Sequence, residues 1–329
     1  MSRFVVPTPR TAVSRGPVPS FSILIPTYES TTTLPDAVAS ALAQTKPALE
    51  VIVCDDGSTD DVAGALAAYR DQIRLLRKPN GGCASALNHA AGAALGDFLA
   101  ILNADDVYDP RRIEALGCLA AERPDLDIIT TDAYLEVGGV RVGTFNSSTP
   151  FVVDDQRAGI LRSCFTGGWP AVRRARVLAA GGWDESLKIA HDWDCWLRLI
   201  FDGAQAGLVD EPLMSYRIHE GSLTSDRVAS LTERVAVLER ARDHPQLTPD
   251  ERRLVTASIR WQRSRLRREA EEQTAAAGVA RALRLSALRA LELLAHARLD
   301  GPIVAFRSRP SRRLTLSAGR RKDAQPTQP

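Results

Sequence analysis

The chain has 329 residues, of which 44% are hydrophobic and 25% charged, and its formal net charge is +2. No run reaches the roughly 18 consecutive apolar residues of a membrane-spanning helix. The five cysteines are scattered and form no CxxC pair, which argues against a disulfide framework or a structural zinc site. We therefore expect a soluble cytoplasmic protein, and attachment to the inner face of a membrane stays open.

The first third of the chain alternates short apolar runs with helix-forming segments. Residues 1–20, rich in Pro, Ser and Arg, are predicted to be a disordered or loosely attached leader. The predicted strands are 21–25, 51–54, 73–77 and 98–102. The predicted helices are 34–44, a capped segment ending at Tyr69, 84–95 and 110–122. Units of this kind predict an α/β fold with a mostly parallel sheet flanked by helices.

The pattern is less regular after residue 128. It predicts a β-hairpin at 134–144, a short helix at 174–180, an apolar-faced helix from Asp192, and short strands at 206–212 and 214–218.

The C-terminal part is basic and helical. Residues 250–329 hold 18 of the 42 Lys and Arg residues but only 8 of the 40 Asp and Glu residues. Helices are predicted at 251–272 and 275–299. They either pack on the main domain as a solvated tail or contact a membrane surface or a partner protein. A nucleic-acid partner is not expected, because the arginines are interleaved with leucines at helical spacing.

Polar residues follow several predicted strands directly. The strands 21–25, 51–54 and 98–102 each end in a polar cluster. The carboxyl ends of parallel strands meet at one edge of a sheet, where ligands bind. This pattern predicts that Tyr28, Asp56 and Asp105 share a rim.

The adjacent carboxylates of Asp105 and Asp106 follow the apolar run 98–102. Two neighbouring like charges are costly unless solvent or a cation neutralises them. A divalent cation that shares its ligand shell with substrate phosphates is one interpretation, and an acidic turn is the other.

Six motifs occur in a diagnostic order along the chain. They are ILIPTYES, VIVCDDGSTD, KPNGGCASALNHAAGAALGDFLAILNADD, GGWDESL, HDWDCWLRL and YRIHEGSLT. Together they resemble the family 2 glycosyltransferases of GT-A fold over about residues 20–225. The resemblance implies an inverting enzyme that transfers a sugar from a nucleotide-diphosphate donor to a hydroxyl of a glycan, lipid-linked or small-molecule acceptor.

The resemblance also implies a nucleotide site with an aromatic residue for stacking and a carboxylate that accepts hydrogen bonds from the base. The implied nucleotide-binding residues are Pro26, Tyr28, Glu29, Asp56, Asn80, Gly82, Asn103, Ala104 and Asp105. On the residues alone, Asp56 has the alternative role of a helix cap.

A metal site is implied beside the nucleotide. Asp105, Asp106 and His219 would bind Mn²⁺ or Mg²⁺, which neutralises charge on the departing nucleoside diphosphate. The chain departs from the family pattern at Asn103, where an acid is usual, so metal binding would depend on Asp105 and Asp106.

Asp192 matches the general base of inverting members, which takes the proton of the acceptor hydroxyl. His191 stands where an acid is usual, and a helix N-cap is the alternative role for Asp192. The resemblance further implies acceptor or sugar contacts from Trp169, Trp183, Asp184 and His191, although either tryptophan could equally belong to the core.

The predicted organisation is a leader (1–20), a GT-A domain (21–225), an Arg-rich helical region (226–310) and a disordered tail (311–329). An alternative function is a nucleotide-sugar-binding scaffold or regulator with impaired catalysis, because Asn103 and His191 replace acids.

Overall fold

The structure, a computed structural model, describes the backbone of residues 3–9 and 14–299, and side chains in that part up to residue 275. Its strands are β1 (Phe4–Val5), β2 (Phe21–Thr27), β3 (Glu50–Asp55), β4 (Arg74–Arg77), β5 (Phe98–Ile101), β6 (Val107–Tyr108), β7 (Ile128–Val137), β8 (Val140–Thr144), β9 (Ala171–Arg173) and β10 (Ala206–Ile218). Its α-helices are α1 (Leu34–Leu42), α2 (Val62–Ala65), α3 (Cys83–Ala93), α4 (Arg112–Glu122), α5 (Phe145–Ser148), α6 (Gln156–Ile160), α7 (Arg174–Ala179), α8 (His191–Phe201), α9 (Arg227–Arg242) and α10 (Pro249–Leu299).

The strands form one mixed sheet in the order β1-β10-β7-β9-β5-β2-β3-β4, with β6 beside β10 and β8 beside β7. Strands β2, β3, β4 and β5 are parallel, and so are β7 and β10. Strand β9 is antiparallel to both β5 and β7, so those two groups run in the same direction. The predicted mostly parallel α/β sheet is confirmed.

Alternate residues of the central strands face opposite sides of the sheet, as strand geometry requires. Leu24 and Ile52 face a core that includes α3 and α8. Their neighbours Ile23 and Val51 face a second core against α1 and α4. Burying each such side chain stabilises the fold by about 1.5–3 kcal/mol. Both faces of the sheet are therefore covered, and the carboxyl ends of its strands remain as the place for a ligand site.

The predicted disordered leader is wrong for its described beginning. Phe4 and Val5 pair antiparallel with Val209 and Leu208 of β10. The Arg123 side chain also donates a hydrogen bond to the Pro7 carbonyl at 2.6 Å. Pairing between backbone groups does not require a long apolar segment. The composition of residues 1–20 therefore did not indicate that β1 pairs with β10. The predicted tail at 311–329 lies outside the described residues.

Three predicted regions are organised differently in the structure. The segment ending at Tyr69 is α2 followed by a 3-10 turn, Ala67–Tyr69. The two strands predicted within 206–218 are one strand, β10, with register shifts around Pro212. The predicted break at 273–274 is absent, because α10 runs without interruption from Pro249 to Leu299.

A capping box starts α10. The Thr248 N–H donates to Glu251 Oε2 at 2.8 Å, and the Glu251 N–H donates to Thr248 Oγ1 at 3.2 Å. Arg157 adds an ion pair at 2.6 Å, and this hydrogen-bonded partner holds the pKa of Glu251 at about 2. Such a cap stabilises a helix end by about 1 kcal/mol.

The C-terminal helices share the main core as far as their side chains are described. Val237 and Leu238 of α9 and Val255 of α10 are buried in the same cluster as Trp196 of α8. The described residues up to Glu272 form one compact unit. The predicted boundary near 225 thus does not separate two cores. None of the described helices is long and apolar enough to cross a membrane.

Candidate active site

The carboxyl ends of β2, β3 and β5 meet at one edge of the sheet. Thr27 pairs in parallel with Asp55, and Leu24 pairs in parallel with Ile101. The prediction that these strand ends share an edge is therefore confirmed. Because β9 runs the other way, the loop 167–170 before it reaches the same edge.

Asp56 follows β3 and holds the loop 78–82 in place. Its carboxylate, only 2% exposed, accepts hydrogen bonds from Lys78 Nζ at 2.7 Å and from the N–H groups of Gly81 at 3.1 Å and Gly82 at 2.7 Å. The helix-cap alternative is wrong for Asp56, since the side-chain cap of α2 is Asp61. In this structure Asp56 shapes the loop, and a nucleotide base would reach it only by displacing one of these donors.

The predicted nucleotide residues around Asp56 differ in their exposure. Tyr28 is 50% exposed, and Asn80 is exposed as well, so both are accessible to a ligand. Pro26 is buried within β2. Glu29, at a φ of 48°, accepts hydrogen bonds from the Thr59 N–H at 2.7 Å and its hydroxyl at 2.9 Å.

Gly82 has a φ of 90° with nothing within 4 Å of an added Cβ. Its backbone conformation, rather than a close approach, therefore favours glycine there. Gly82 is also the N-cap of α3, so the first N–H groups of α3 open toward the same edge.

Asp105 and His219 form a pair at the edge of the sheet. His219 Nε2 lies 2.9 Å from Asp105 Oδ2, and both side chains are partly exposed. Asp105 comes just after β5, and His219 comes just after β10. The fold therefore brings together two of the three predicted metal ligands across 114 residues of sequence.

Asp106 lies beneath this pair, with no exposed surface. Its oxygens accept hydrogen bonds from the Arg217 N–H at 2.9 Å and from Asn103 Nδ2 at 3.1 Å. Burial, together with the negative charge of Asp105, raises the pKa of Asp106 to about 8. Asp106 thus supports the turn through these hydrogen bonds, and its role as a metal ligand stays a prediction. Asn103, predicted to contact the nucleotide, supports Asp106, and Ala104 is 5% exposed.

The ligand atoms of the Asp105–His219 pair suit a divalent cation whose remaining ligands come from the substrate. Among the described residues, no three His, Cys, Asp or Glu side chains form a ready-made metal cluster. Asp105 and His219 supply one oxygen and one nitrogen donor, a set that Mn²⁺ accepts. A cation held by one or two protein ligands takes its remaining ligands from phosphate oxygens and water.

Asp192 lies in the first turn of α8. The helix begins at His191, and its N-cap is Ala190, which makes no side-chain cap; the N-cap alternative for Asp192 is therefore wrong. An added Cβ at Gly168 would lie 2.8 Å from Asp192 Oδ2, so the loop 167–170 approaches this carboxylate closely. Burial raises the pKa of Asp192, and the charges of His191 and Arg234 oppose that rise.

Two half-buried side chains, Cys83 and Tyr216, are each influenced by several of these carboxylates. Burial and the negative charges of Asp192, Asp56 and Asp105 raise the pKa of the Cys83 thiol to about 12. Burial likewise raises the pKa of Tyr216, and Asp106, Asp105 and Asp192 add to this rise. With the strand ends at one edge and the loop 167–170 beside Asp192, the predicted nucleotide, metal and base residues lie toward the same edge of the sheet.

Comparison with known proteins identifies the family. Residues 22–177 match the profile of Glycosyl transferase family 2. An uncharacterized glycosyltransferase of Rickettsia typhi is 31% identical over 225 residues, which cover 65% of this chain and 69% of the relative. The chain belongs to glycosyltransferase family 2.

Solved structures of GT-A glycosyltransferases share the fold. The mannosyltransferase PcManGT of Pyrobaculum calidifontis, in complex with GDP-Man and Mn²⁺, superposes with a TM-score of 0.58 at 19% identity, covering 85% of this chain and 83% of that one. TarS 1-349 of S. aureus, in complex with UDP-GlcNAc, superposes with a TM-score of 0.58 at 20% identity, covering 73% and 71%.

Several predicted sugar or acceptor residues of this glycosyltransferase lie in its interior. Trp183 is 2% exposed and packs edge-on against Trp196. Trp169 is 4% exposed, and its indole N–H donates to the Thr131 carbonyl at 3.2 Å. Neither ring offers a free face to a sugar, so the stacking role is corrected to a core role for both.

Asp184 and His191 have different surroundings. Asp184 pairs with Arg240 of α9 and accepts a hydrogen bond from the Ser186 N–H at 2.8 Å, so it ties α9 to the segment before α8. His191 is 7% exposed, and its Nδ1 has no hydrogen-bond partner within the described structure. Of these two residues, His191 is the one with a polar atom left for a ligand.

Glu233 of the glycosyltransferase is a residue that sequence reasoning missed. Its carboxylate accepts hydrogen bonds from three consecutive N–H groups, of Lys188 at 3.0 Å, Ile189 at 2.7 Å and Ala190 at 2.9 Å. These residues lead directly into His191 and Asp192. Glu233 belongs to no motif, and only the folded chain brings α9 to the start of α8.

We expect Glu233→Gln to lower sugar transfer about tenfold, because a neutral amide loses charge-assisted hydrogen bonds that set the position of Asp192. Nucleoside diphosphate affinity should stay unchanged. Glu239→Gln, which breaks the α9–α10 pair of Glu239 with Arg263, is the control. Steady-state transfer and donor titration, made beside thermal melts, check the expectation. Equal transfer in both variants would contradict it.

Proposed function

We propose that this glycosyltransferase performs metal-dependent, inverting transfer from a nucleotide-diphosphate sugar to a hydroxyl group. The observation that supports the proposal most strongly is geometric: Asp105 follows β5, and the loop 167–170, which reaches the same edge of the sheet, approaches Asp192 Oδ2. Asp105 pairs with the partly exposed His219, and burial raises the pKa of Asp192. In this proposal a cation site and a base serve one site, as a single displacement requires.

The donor occupies the sheet edge in this proposal. The exposed Tyr28 stacks on the base, and the first N–H groups of α3 face the diphosphate. Asp105 and His219 hold the cation, which supplies charge neutralisation for the leaving nucleoside diphosphate. Asp106 and Asn103 keep Asp105 in position from below.

The acceptor approaches from the side of α8. The Asp192 carboxylate takes the proton of the attacking hydroxyl as its oxygen bonds to the anomeric carbon. The bond from that carbon to the diphosphate oxygen breaks, and the electron pair leaves with the nucleoside diphosphate. Attack opposite the leaving group inverts the anomeric centre. A base with a raised pKa holds this proton better than an ordinary carboxylate.

The structural neighbours support the donor class. Their structures contain UDP-GlcNAc in one case, and GDP-Man with Mn²⁺ in the other. All five cysteines of this chain are free, which supports a reducing, cytoplasmic compartment for the reaction. In this proposal the acceptor is a hydroxyl of a glycan, a lipid-linked saccharide or a small molecule, and the donor nucleotide is left open.

A thermal-shift screen tests the donor part of the proposal. We expect one of UDP, GDP, ADP, CDP or dTDP to raise the melting temperature by about 2–4 °C at a concentration near a hundred times its Kd. The shift should require Mn²⁺ or Mg²⁺ and disappear with EDTA. Absence of any shift with all five nucleotides and both metals would contradict the proposal.

A further inference from the structure

Arginines of α9 and α10 come together where an ion pair joins the two helices. Arg227 and Arg234 are seven residues apart on α9, and Arg265 and Arg268 are three apart on α10. Both spacings place the members of a pair on one helix face. Arg227 and Glu269 join the two helices through an ion pair of 2.9 Å, so the two pairs belong to one cluster, which we call the arginine cluster.

The arginine cluster is close to Asp192 because Glu233 fixes α9 there. Glu233 binds the N–H groups of residues 188–190, just before α8, and Arg234 is its neighbour in α9. The positive charge of Arg234 lowers the pKa of Asp192 and of Cys164, against the effect of burial. Glu233 thus places Arg234 near the start of α8, where Asp192 lies.

The charges of the arginine cluster are poorly balanced. Among the described ion pairs, none includes Arg234, Arg265 or Arg268. Burial lowers the pKa of Arg265, and the charges of Arg234, Arg227 and Arg268 lower it further, against the opposite effect of Glu269. The nearby Glu233 carboxylate is already bound by backbone donors. Guanidinium groups without a carboxylate partner among the described ion pairs suit an anionic ligand.

Two features of the arginine cluster suit a phosphate group. Guanidinium groups bind phosphate oxygens through paired hydrogen bonds, with a geometry that fixes the bound group. The Arg265 guanidinium also lies 4.8 Å from the ring centre of Trp261, which is 53% exposed. That ring offers an apolar surface beside the cationic one, which suits an amphiphilic phosphate ester.

We propose that Arg234 and Arg265 bind a phosphate or diphosphate group of the acceptor, and so deliver the acceptor hydroxyl to Asp192. This proposal rests on the proposed function. The acceptor is then a phosphorylated saccharide, such as a glycosyl phosphate or a lipid-linked one. Its phosphate binds and orients, and no bond to phosphorus breaks in the transfer.

The test compares phosphorylated and neutral forms of one sugar with the donor site filled. Glucose, galactose, mannose and N-acetylglucosamine 1-phosphates are titrated calorimetrically beside their methyl glycosides, with saturating nucleoside diphosphate and Mg²⁺. We expect at least one 1-phosphate to bind about tenfold tighter than its glycoside. Arg234→Gln/Arg265→Gln should reduce this preference to less than about twofold, and Arg234→Lys/Arg265→Lys should retain part of it.

Arg260→Gln is the matched control, because Arg260 is exposed on the same helix but points about 140° away from Arg265. It should keep the full preference, and thermal melts show whether each variant is folded. No preference in a wild type that binds nucleoside diphosphate overturns the phosphate proposal alone. A wild type that binds no nucleoside diphosphate overturns the proposed function instead.

A lipid surface is the competing ligand, and vesicles separate it from the acceptor. Sedimentation with phosphatidylglycerol vesicles is measured for the wild type and for Arg234→Gln/Arg265→Gln, with phosphatidylcholine vesicles as the reference. If the variant loses vesicle binding but keeps its preference for the sugar phosphate, the arginine cluster is a membrane contact and the proposal is wrong. Loss of the sugar-phosphate preference supports the proposal.

Discussion

Replacing Asp192 by Asn is expected to lower sugar transfer about a thousandfold, the scale of a lost general base. The amide cannot take the proton of the acceptor hydroxyl. It retains an oxygen for the hydrogen bond that Asp192 Oδ1 accepts from the Trp193 N–H at 2.6 Å, and it has the same size beside Gly168. The loss should therefore appear in kcat, while nucleoside diphosphate affinity changes little.

Asp202→Asn is the control for this variant. Asp202 follows the last residue of α8 and is largely exposed, with Arg176 at 3.3 Å. It faces no part of the proposed site, so its replacement should leave transfer within twofold of wild type. Transfer by Asp192→Asn at a rate near that of Asp202→Asn would exclude Asp192 as the base.

The pH profile gives a second signature of Asp192. Burial raises the pKa of this group, and the base works only when it is deprotonated. Transfer by the wild type should therefore rise with pH until Asp192 is ionised, with a midpoint above the ordinary carboxyl range near 4. Asp192→Asn should lack this acid limb in its residual activity, as measured by initial rates between pH 4 and 8.

The strands and helices could be predicted from the sequence because the residue patterns that indicate them are local. The run Phe98–Ile101 reads as a buried strand in both sequence and structure, and its polar end predicts a rim. Parallel strands all present their carboxyl ends to one side, so the topology predicts that Asp56 and Asp105 lie at the same edge of the sheet. The motif order then predicted the fold and the family, and both are confirmed.

The roles of residues that depend on burial could not be predicted from the sequence in the same way. Asp105 and Asp106 cannot be told apart in the sequence, but the turn after β5 exposes part of Asp105 and buries Asp106 against the Arg217 N–H. The sequence allows Trp183 to stack on a sugar or to belong to the core, and only the packing of Trp196 against it decides for the core. Glu233 acts through three N–H groups more than 40 residues away, and periodicity carries no information about that distance.

Replacing Asp105 by Asn is expected to lower transfer about a hundredfold at fixed Mn²⁺, since the proposed cation loses its exposed carboxylate ligand. The apparent affinity for Mn²⁺ should fall with it, so higher Mn²⁺ should restore part of the activity. His219→Ala removes the nitrogen donor but leaves the carboxylate, and about a tenfold loss is expected. Transfer rates across a Mn²⁺ titration check both variants.

Asp109→Asn is the control for Asp105→Asn, because Asp109 lies four residues further along the chain, just after β6. Asp109 accepts a hydrogen bond from the Arg111 N–H at 2.9 Å, which an amide oxygen can also accept. Its replacement should therefore leave the Mn²⁺ dependence unaltered. If Asp105→Asn shows the same Mn²⁺ dependence as Asp109→Asn, the cation is not held at the Asp105–His219 pair.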